Sequence, residues 1–357
     1  MRAPRVIPAF RSFLARERLL ERFPPPPSGA LRVAAGYPAP YRVGMANLGF
    51  HFLYGGLRRS PRLAVERFFS DTAPLTLETG ARLSSASALF FSVSYEEDYL
   101  NVVRILHRSG IPALRKERFG GPIVIAGGPA VSANPAPLSS IADAIALGEG
   151  EGTLEGIVRV LGEEGAVEPR EALPALAALS AVLVPGVSGP GVSYNEPIAG
   201  GPFARSIIVT PENVFPDMML VESGRGCPGA CAFCLATSLY RPFRFLRREA
   251  LEEMLSRLDA PVRKVGLVSP AVAANPESPI VALIYGFTYL FLFPFEGLVA
   301  SPTMGSMVLE LSSMFAILIY GLIAWAVERI VWLIFYRPRG PVVAVTETST
   351  SESHTPR

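Results

Sequence analysis

Three cysteines stand within eight residues: Cys227, Cys231 and Cys234, in the segment ESGRGCPGACAFC with spacing C-x3-C-x2-C. They are all the cysteine the chain has. An odd, clustered set is not a disulfide framework; it fits a reducing compartment and a metal or redox site. Thiolates are soft ligands suited to zinc or to iron–sulfur clusters. Structural zinc takes four ligands, and the nearest histidines in sequence are His107 and His354, so no local fourth ligand is visible. A cubane [4Fe–4S] cluster held by three cysteines leaves one iron without a protein ligand, and that iron can bind and activate a small molecule. Gly224, Gly226, Gly229 and Pro228 let a short loop wrap a cluster with backbone N–H groups facing its sulfurs, and Arg225 adds positive charge beside it.

The residues around the loop read as a β-α-β unit. MMLVESGRGC is a strand running into the cysteines, FRREALEEMLSRL from Phe245 a helix, and KVGLVS a second strand. Upstream, LRVAAG, ALFFSVS, PIVIAGG and ADAIALGEGE read as strands, and the continuous apolar run of ALFFSVS is that of a strand buried on both faces. DYLNVVRILHRSG and EGTLEGIVRVLGE read as helices between and after them. Strands alternating with helices predict an α/β fold with an open parallel sheet, ligands sitting at the carboxyl ends of its strands. That places Ser92 to Tyr95, Gly127-Gly128 and Gly148 to Gly150 near a site. Gly127 and Gly128 permit close approach of backbone to a ligand, with a plain turn as the competing reading. Without a G-x-G-x-x-G before a helix or a G-x-x-x-x-G-K-[ST], a nicotinamide or ATP site is not expected. Glu96, Glu97, Asp98, Glu149 and Glu151 lie near strand ends and read as solvated loop residues. Arg241, Arg244, Arg247 and Arg248 read as a solvated or membrane-facing basic face, with contacts to an anionic ligand as the competing reading.

The C-x3-C-x2-C spacing, with the aromatic Phe233 before the last cysteine and a barrel-like first strand ahead of it, resembles the radical S-adenosylmethionine (SAM) superfamily. The resemblance implies that Cys227, Cys231 and Cys234 bind [4Fe–4S], that SAM chelates the open iron with Phe233 near its adenine, and that SAM is cleaved reductively to a 5′-deoxyadenosyl radical. It also implies an electron donor such as a ferredoxin or flavodoxin; the substrate stays unknown. GYPAPYRVGMANLGF, SVSYEEDYLNV and IVIAGGPAVSANPAPL make residues 31–184 similar to the cobalamin-binding-like, Rossmann-like domain that precedes the radical SAM domain in one large subgroup, with Gly127 and Gly128 as its cofactor-side glycines. The D-x-H-x-x-G pattern for cobalamin is absent: His51, in GFHFLYGG, reads as a packed residue, so cobalamin would have to bind without a protein ligand to cobalt. The family's catalytic domain is a partial (β/α)6 barrel. A full eight-unit barrel takes ~250 residues, whereas about 40 separate Cys234 from the apolar region that follows. Ser269-Pro270-Ala271 stands where the family has Gly-Gly-Glu. Three readings follow: a radical SAM enzyme whose barrel a partner chain completes, a non-catalytic truncated or fused fragment, or a membrane-attached iron–sulfur electron-transfer or sensor module.

Composition divides the chain near Asn275-Pro276. Of 357 residues 18% are charged, below the ~25% of ordinary soluble domains, and the mean hydropathy is +0.34. The deficit is local: residues 278–336 carry four charges, Glu296, Glu310, Glu328 and Arg329. Two apolar runs, Ser278 to Phe295 and Leu311 to Tyr336, are expected to form a transmembrane hairpin, with two buried core helices as the alternative. Arg263 and Lys264 before the first run and Arg337 and Arg339 after the second predict cytoplasmic N-terminal domains and a cytoplasmic tail. No secretory signal is expected at the N-terminus. A net charge of +2 argues against a dedicated nucleic-acid binder. The expected organisation is an N-terminal helix and Pro-rich linker over residues 1–30, the α/β domain over 31–184, a linker over 185–216, a partial radical SAM domain over 217–274, the membrane hairpin over 278–336 and a disordered tail over 337–357.

Overall fold

The computed structural model describes residues 8–163, 169–188, 203–227, 234–269, 291, 293–295, 303–304, 307–308 and 311–335. They fall into two units, Met1–Val272 and Ala273–Arg357, divided close to the change in composition.

The first unit opens with α1 (Pro8–Arg16) and β1 (Arg18–Leu19). The N-terminal helix ends at Arg16, where the chain is drawn into a ladder: Arg18 and Leu19 pair antiparallel with Val209 and Ile208. Next come β2 (Leu31–Tyr37), α2 (Tyr41–Gly44), α3 (Leu48–Arg58), β3 (Leu63–Phe69), β4 (Ala88–Ser92), α4 (Asp98–Arg108), β5 (Ile123–Gly127), α5 (Pro129–Ala133), β6 (Ala144–Ala146), α6 (Thr153–Glu163), α7 (Leu173–Ala177) and β7 (Val182–Leu183). Six strands form one sheet in the order β3-β2-β4-β5-β6-β7, parallel throughout except for the antiparallel edge strand β7. Side chains alternate across it. Val33, Ala35, Phe90 and Ile125 face a core shared with Phe50 of α3 and Ile157 of α6. Ala34, Leu89, Phe91 and Val124 face the opposite core, shared with Val102 and Ile105 of α4. Burial on both faces is why these strands read as unbroken apolar runs. Because α3 follows β2 on one face and α4 follows β4 on the other, the strand order reverses between β2 and β4. This opens a crevice at the carboxyl ends of the strands.

Residues 203–216, expected as linker, are woven into the fold. β8 (Ile208–Val209) holds β1. Arg205 bridges Val221, and the Ser206 amide donates to the Leu220 carbonyl at 2.8 Å. These contacts cover one edge of β9 (Met219–Glu222). After β9 come β10 (Gly224–Arg225), α8 (Ala236–Leu239), β11 (Arg244–Phe245), α9 (Arg248–Ser256) and β12 (Val265–Val268). β12 lies parallel to β9, Met219 opposite Val265 and Glu222 opposite Val268, which is the β-α-β unit read from the sequence. Leu251, Met254 and Leu255 of α9 pack on Leu20, Met219 and Val221. Val265, Leu267 and Val268 on β12 are exposed.

In the second unit β13 (Thr303–Met304) and β14 (Met307–Val308) form a short antiparallel pair, followed by α10 (Leu311–Phe335). Tyr320 Oη of α10 donates to the Phe291 carbonyl at 3.1 Å. The expected transmembrane hairpin is not supported. Most of its first run lies outside the described residues. Its second run is α10, whose described side chains span residues 316–332 and include Glu328 and Arg329. Among the described residues no helix is long and apolar enough to cross a membrane. The tail over 337–357 also lies outside the described residues.

Candidate functional site

The cysteine loop leaves the sheet at a sharply turned, glycine-lined point. Gly226 has φ +78°, and a Cβ there would meet the Tyr240 carbonyl oxygen at 2.2 Å, so only glycine fits. Behind it, β10 pairs antiparallel with β11, Gly224 opposite Phe245 and Arg225 opposite Arg244, and this closes the base of the loop. Cys227 and Cys234 are both half-buried at its two ends. Cys231 and Phe233 lie outside the described residues. Among the described residues no group of three or more His, Cys, Asp or Glu is gathered as a metal site. Thiols are soft donors, which suit an iron–sulfur cluster better than a hard cation.

Arg225 binds this loop to the α/β domain. Its Nε and Nη2 donate to the two carboxylate oxygens of Glu222, each at 2.7 Å. Its Nη1 donates to Glu149 and to Glu151, both at 2.8 Å. Arg244, across the β10–β11 ladder, donates through Nη1 to Glu149 at 3.0 Å and pairs with it again through Nη2. Burial alone would loosen Arg225's proton, but the hydrogen bonds and charge of Glu222, and then Glu151, outweigh it and raise its pKa. Burial would likewise raise the Glu149 pKa, and Arg244 and Arg225 reverse that and hold it ionised. Tyr240, packed against the same charges, is pushed up to about 12, chiefly by burial.

Several residues therefore differ from their sequence reading. Glu149 and Glu151 are buried ion-pair partners rather than solvated loop residues, and Arg244 is their partner rather than part of a free basic face. Arg247 and Arg248 are exposed, and Arg248 pairs with Glu252 on its own helix at 2.8 Å. Glu96 and Glu97 are exposed as expected, whereas Asp98 is buried and accepts from Asn101 at 3.1 Å. The sequence showed each charge but not the pairing, which spans residues 149 to 244.

Gly127 and Gly128 end β5, and Gly128 has φ +120° with its Cα so close to β4 that a Cβ would meet the Val93 carbonyl oxygen at 2.4 Å. Both glycines line a cavity of about 510 Å³ at the carboxyl ends of the sheet, with Ser92 and Ser94 beside them and Glu149 and Arg225 at its far end. His51 is fully buried; its Nε2 lies 3.0 Å from the Met45 carbonyl, and its Nδ1 accepts the Ile207 amide at 3.3 Å. Both ring nitrogens are thus engaged within the protein, in keeping with the reading of His51 as a packed residue.

Residues 49–185 match the model of a family described as radical SAM proteins, N-terminal. The chain is 29% identical over 252 residues to an uncharacterized protein of Methanocaldococcus jannaschii, a match that covers 67% of this chain and 49% of that protein. The chain thus spans about half the length of this curated relative. No solved structure matches it. The family match covers the α/β domain that precedes the cysteine loop, to which that domain is fastened through Glu149 and Glu151.

Proposed function

We propose that this chain is a radical SAM protein in which Cys227, Cys231 and Cys234 hold a [4Fe–4S] cluster. When bound, that cluster supplies the electron for reductive cleavage of SAM to a 5′-deoxyadenosyl radical. The observation that carries this reading is the position of Cys227. It directly follows a positive-φ glycine at the end of β9–β10, and the preceding domain matches the N-terminal region of radical SAM proteins. The chain's own residues prepare the loop. Gly226 turns it, the β10–β11 ladder closes it, and Arg225 sets a guanidinium two residues before the first thiolate while Glu149, Glu151 and Glu222 hold that guanidinium in place. An electron donor such as a ferredoxin or flavodoxin belongs to this reading, as does a partner chain adding strands beside β12, whose exposed Val265 and Leu267 are unusual for a finished barrel strand. Membrane attachment through the apolar second unit, with the first unit cytoplasmic, is part of the same proposal. It rests on the charge-poor sequence and on the exposed apolar side chains of α10, such as Ile317, Leu322 and Trp325.

The test is anaerobic reconstitution with iron and sulfide, followed by electron paramagnetic resonance of the reduced protein with and without SAM. The expected result is a [4Fe–4S]⁺ signal that changes on adding SAM, together with formation of 5′-deoxyadenosine. A chain that assembles no cluster overturns the reading. A second reading, an iron–sulfur electron-transfer or sensor module without SAM chemistry, is favoured by one observation: among the described residues only β9 and β12 form the parallel sheet that should become the barrel. A cluster whose signal is blind to SAM selects it.

A further inference from the structure

A second cavity, of about 850 Å³, is walled by α3, residues 203–207 and α9. Its size is that of small-molecule sites. β11 divides it from the ion pairs behind the cysteine loop. Alternate residues of a strand face opposite ways, and while Arg244 pairs with Glu149, the adjacent Phe245 lines this cavity. Phe52, Ile207 and Met254 extend the apolar wall. His51 belongs to the wall too, but both its ring nitrogens are engaged, so it offers a ligand no hydrogen bond. The rest of the wall is cationic: Arg59, Arg205, Arg247 and Arg257 line it, with Glu253 as the lining carboxylate.

The charges do not balance. Arg59 donates to Glu21 through Nε and Nη2, each at 2.9 Å, and Arg205 donates to the same carboxylate through Nη2 at 3.1 Å. Arg257 pairs with Glu253. Four guanidiniums thus face two carboxylates. The balance stays positive when Asp259, which acts on Arg205 more weakly than Glu21 or Arg59, is counted as well. Arg205 is the most enclosed of the four, and its buried Nη1 has no hydrogen-bond partner. Burial lowers the Arg205 pKa; Glu21 opposes that and the Arg59 charge adds to it. A charged N–H left unpaired away from water is costly, and an anion's oxygen would remove that cost.

We propose that this cavity binds a soluble anion of the phosphate-monoester class with an aromatic or otherwise apolar body, independently of the cluster. The phosphate oxygens are shared among Arg59, Arg205 and Arg247, and the body lies on Phe52, Phe245 and Met254. Guanidiniums present forked N–H donors that match the oxygens of a phosphate. The test uses the full chain with Cys227→Ala, Cys231→Ala and Cys234→Ala, so that neither a cluster nor anything it anchors contributes and failure of the cluster reading leaves the result unaffected. The probe is 1-naphthyl phosphate, titrated by its fluorescence near neutral pH beside uncharged 1-naphthol. The phosphate is expected to saturate one site per chain and to bind at least about ten-fold more tightly than 1-naphthol, the effect of one charged hydrogen bond. Inorganic phosphate is expected to compete with it. Arg247→Gln, at an exposed side chain, is expected to weaken 1-naphthyl phosphate by about five-fold and to leave 1-naphthol unchanged. Arg248→Gln, one residue on but outside the cavity wall, is expected to change neither. Hydrogen exchange on the parent chain gives a readout that needs neither of these two variants: 1-naphthyl phosphate is expected to slow exchange at residues 250–254 of α9. Equal affinity for the phosphate and 1-naphthol, equal losses in the Arg247 and Arg248 variants, or unchanged exchange in α9 overturns the proposal.

Discussion

His51 shows how much one buried side chain contributes. Burial pulls its pKa down to about 4, with the hydrogen bond to Met45 opposing that pull. The folded protein therefore keeps the ring neutral to about pH 4, while the unfolded chain takes up a proton near pH 6.5. Proton uptake then favours the unfolded state. His51's contribution is complete above pH 6.5 and is lost as the pH falls toward 4, a change of roughly 3 kcal/mol. Urea melts at intervals from pH 7 to pH 4 should show this loss, and His51→Asn should flatten the slope over that window. A slope unchanged by the substitution would assign the pH dependence to other groups. Arg67, Glu17 and Glu78 form a second buried set, with the guanidinium 2.7 Å from Glu17 and 2.6 Å from Glu78 and Tyr41 donating to Glu17 at 2.6 Å. Nothing in the sequence pairs residues so far apart. Charges are visible one at a time, and burial gives them partners only once the chain folds.

Among the elements, the β5–α5 turn sets the floor of the cavity at the carboxyl ends of the sheet. Gly128 combines a positive φ with contact on the Val93 carbonyl, so Gly128→Ala should destabilise the protein by more than about 1 kcal/mol. Gly127→Ala is the matched control, because its nearest new neighbour is the Ala146 Cβ at 3.4 Å. Thermal unfolding of both variants checks the contrast; equal shifts would remove the case for a special backbone at Gly128. The parallel strands and amphipathic α4 could be read directly from the sequence, because burial on both faces leaves an apolar run and one buried helix face leaves a 3.6-residue period. The glycines at the strand ends could be read as candidates for the same reason. β1, β8 and the role of residues 203–216 could not, since two-residue strands carry no period and exist only through their partners. Arg205 was equally silent: an unpaired N–H becomes evident only when its surroundings are known.

For the whole molecule, the two units differ in material as well as in contacts. Residues 1–272 contain both faces of the large sheet and the β9–β12 pair. A chain ending at residue 272 should keep its far-ultraviolet circular dichroism and unfold cooperatively, with a urea midpoint close to that of the same transition in the full chain. A fragment that is unfolded in buffer would show that the first unit depends on the second. The C-x3-C-x2-C spacing could be read directly because it is compact in sequence, though Cys231 lies outside the described residues. The fastening of the loop to Glu149 and Glu151 became visible only in three dimensions.

The order of the strands also bears on how the chain is built during synthesis. After β2 and β3 pair, each of β4, β5, β6 and β7 adds beside the strand made just before it or beside β2. The sheet can therefore grow outward as residues leave the ribosome. The N-terminal segment is the exception. Arg18 finds Val209, and the Arg22 amide finds Asp259 at 2.8 Å, only after nearly the whole first unit has been made. Residues 18–22 thus find these partners only after the strands between them have been made, and the Glu17 carboxylate, which shares buried Arg67 with Glu78, lies beside them in sequence. Closing the first unit therefore joins stretches of chain some two hundred residues apart.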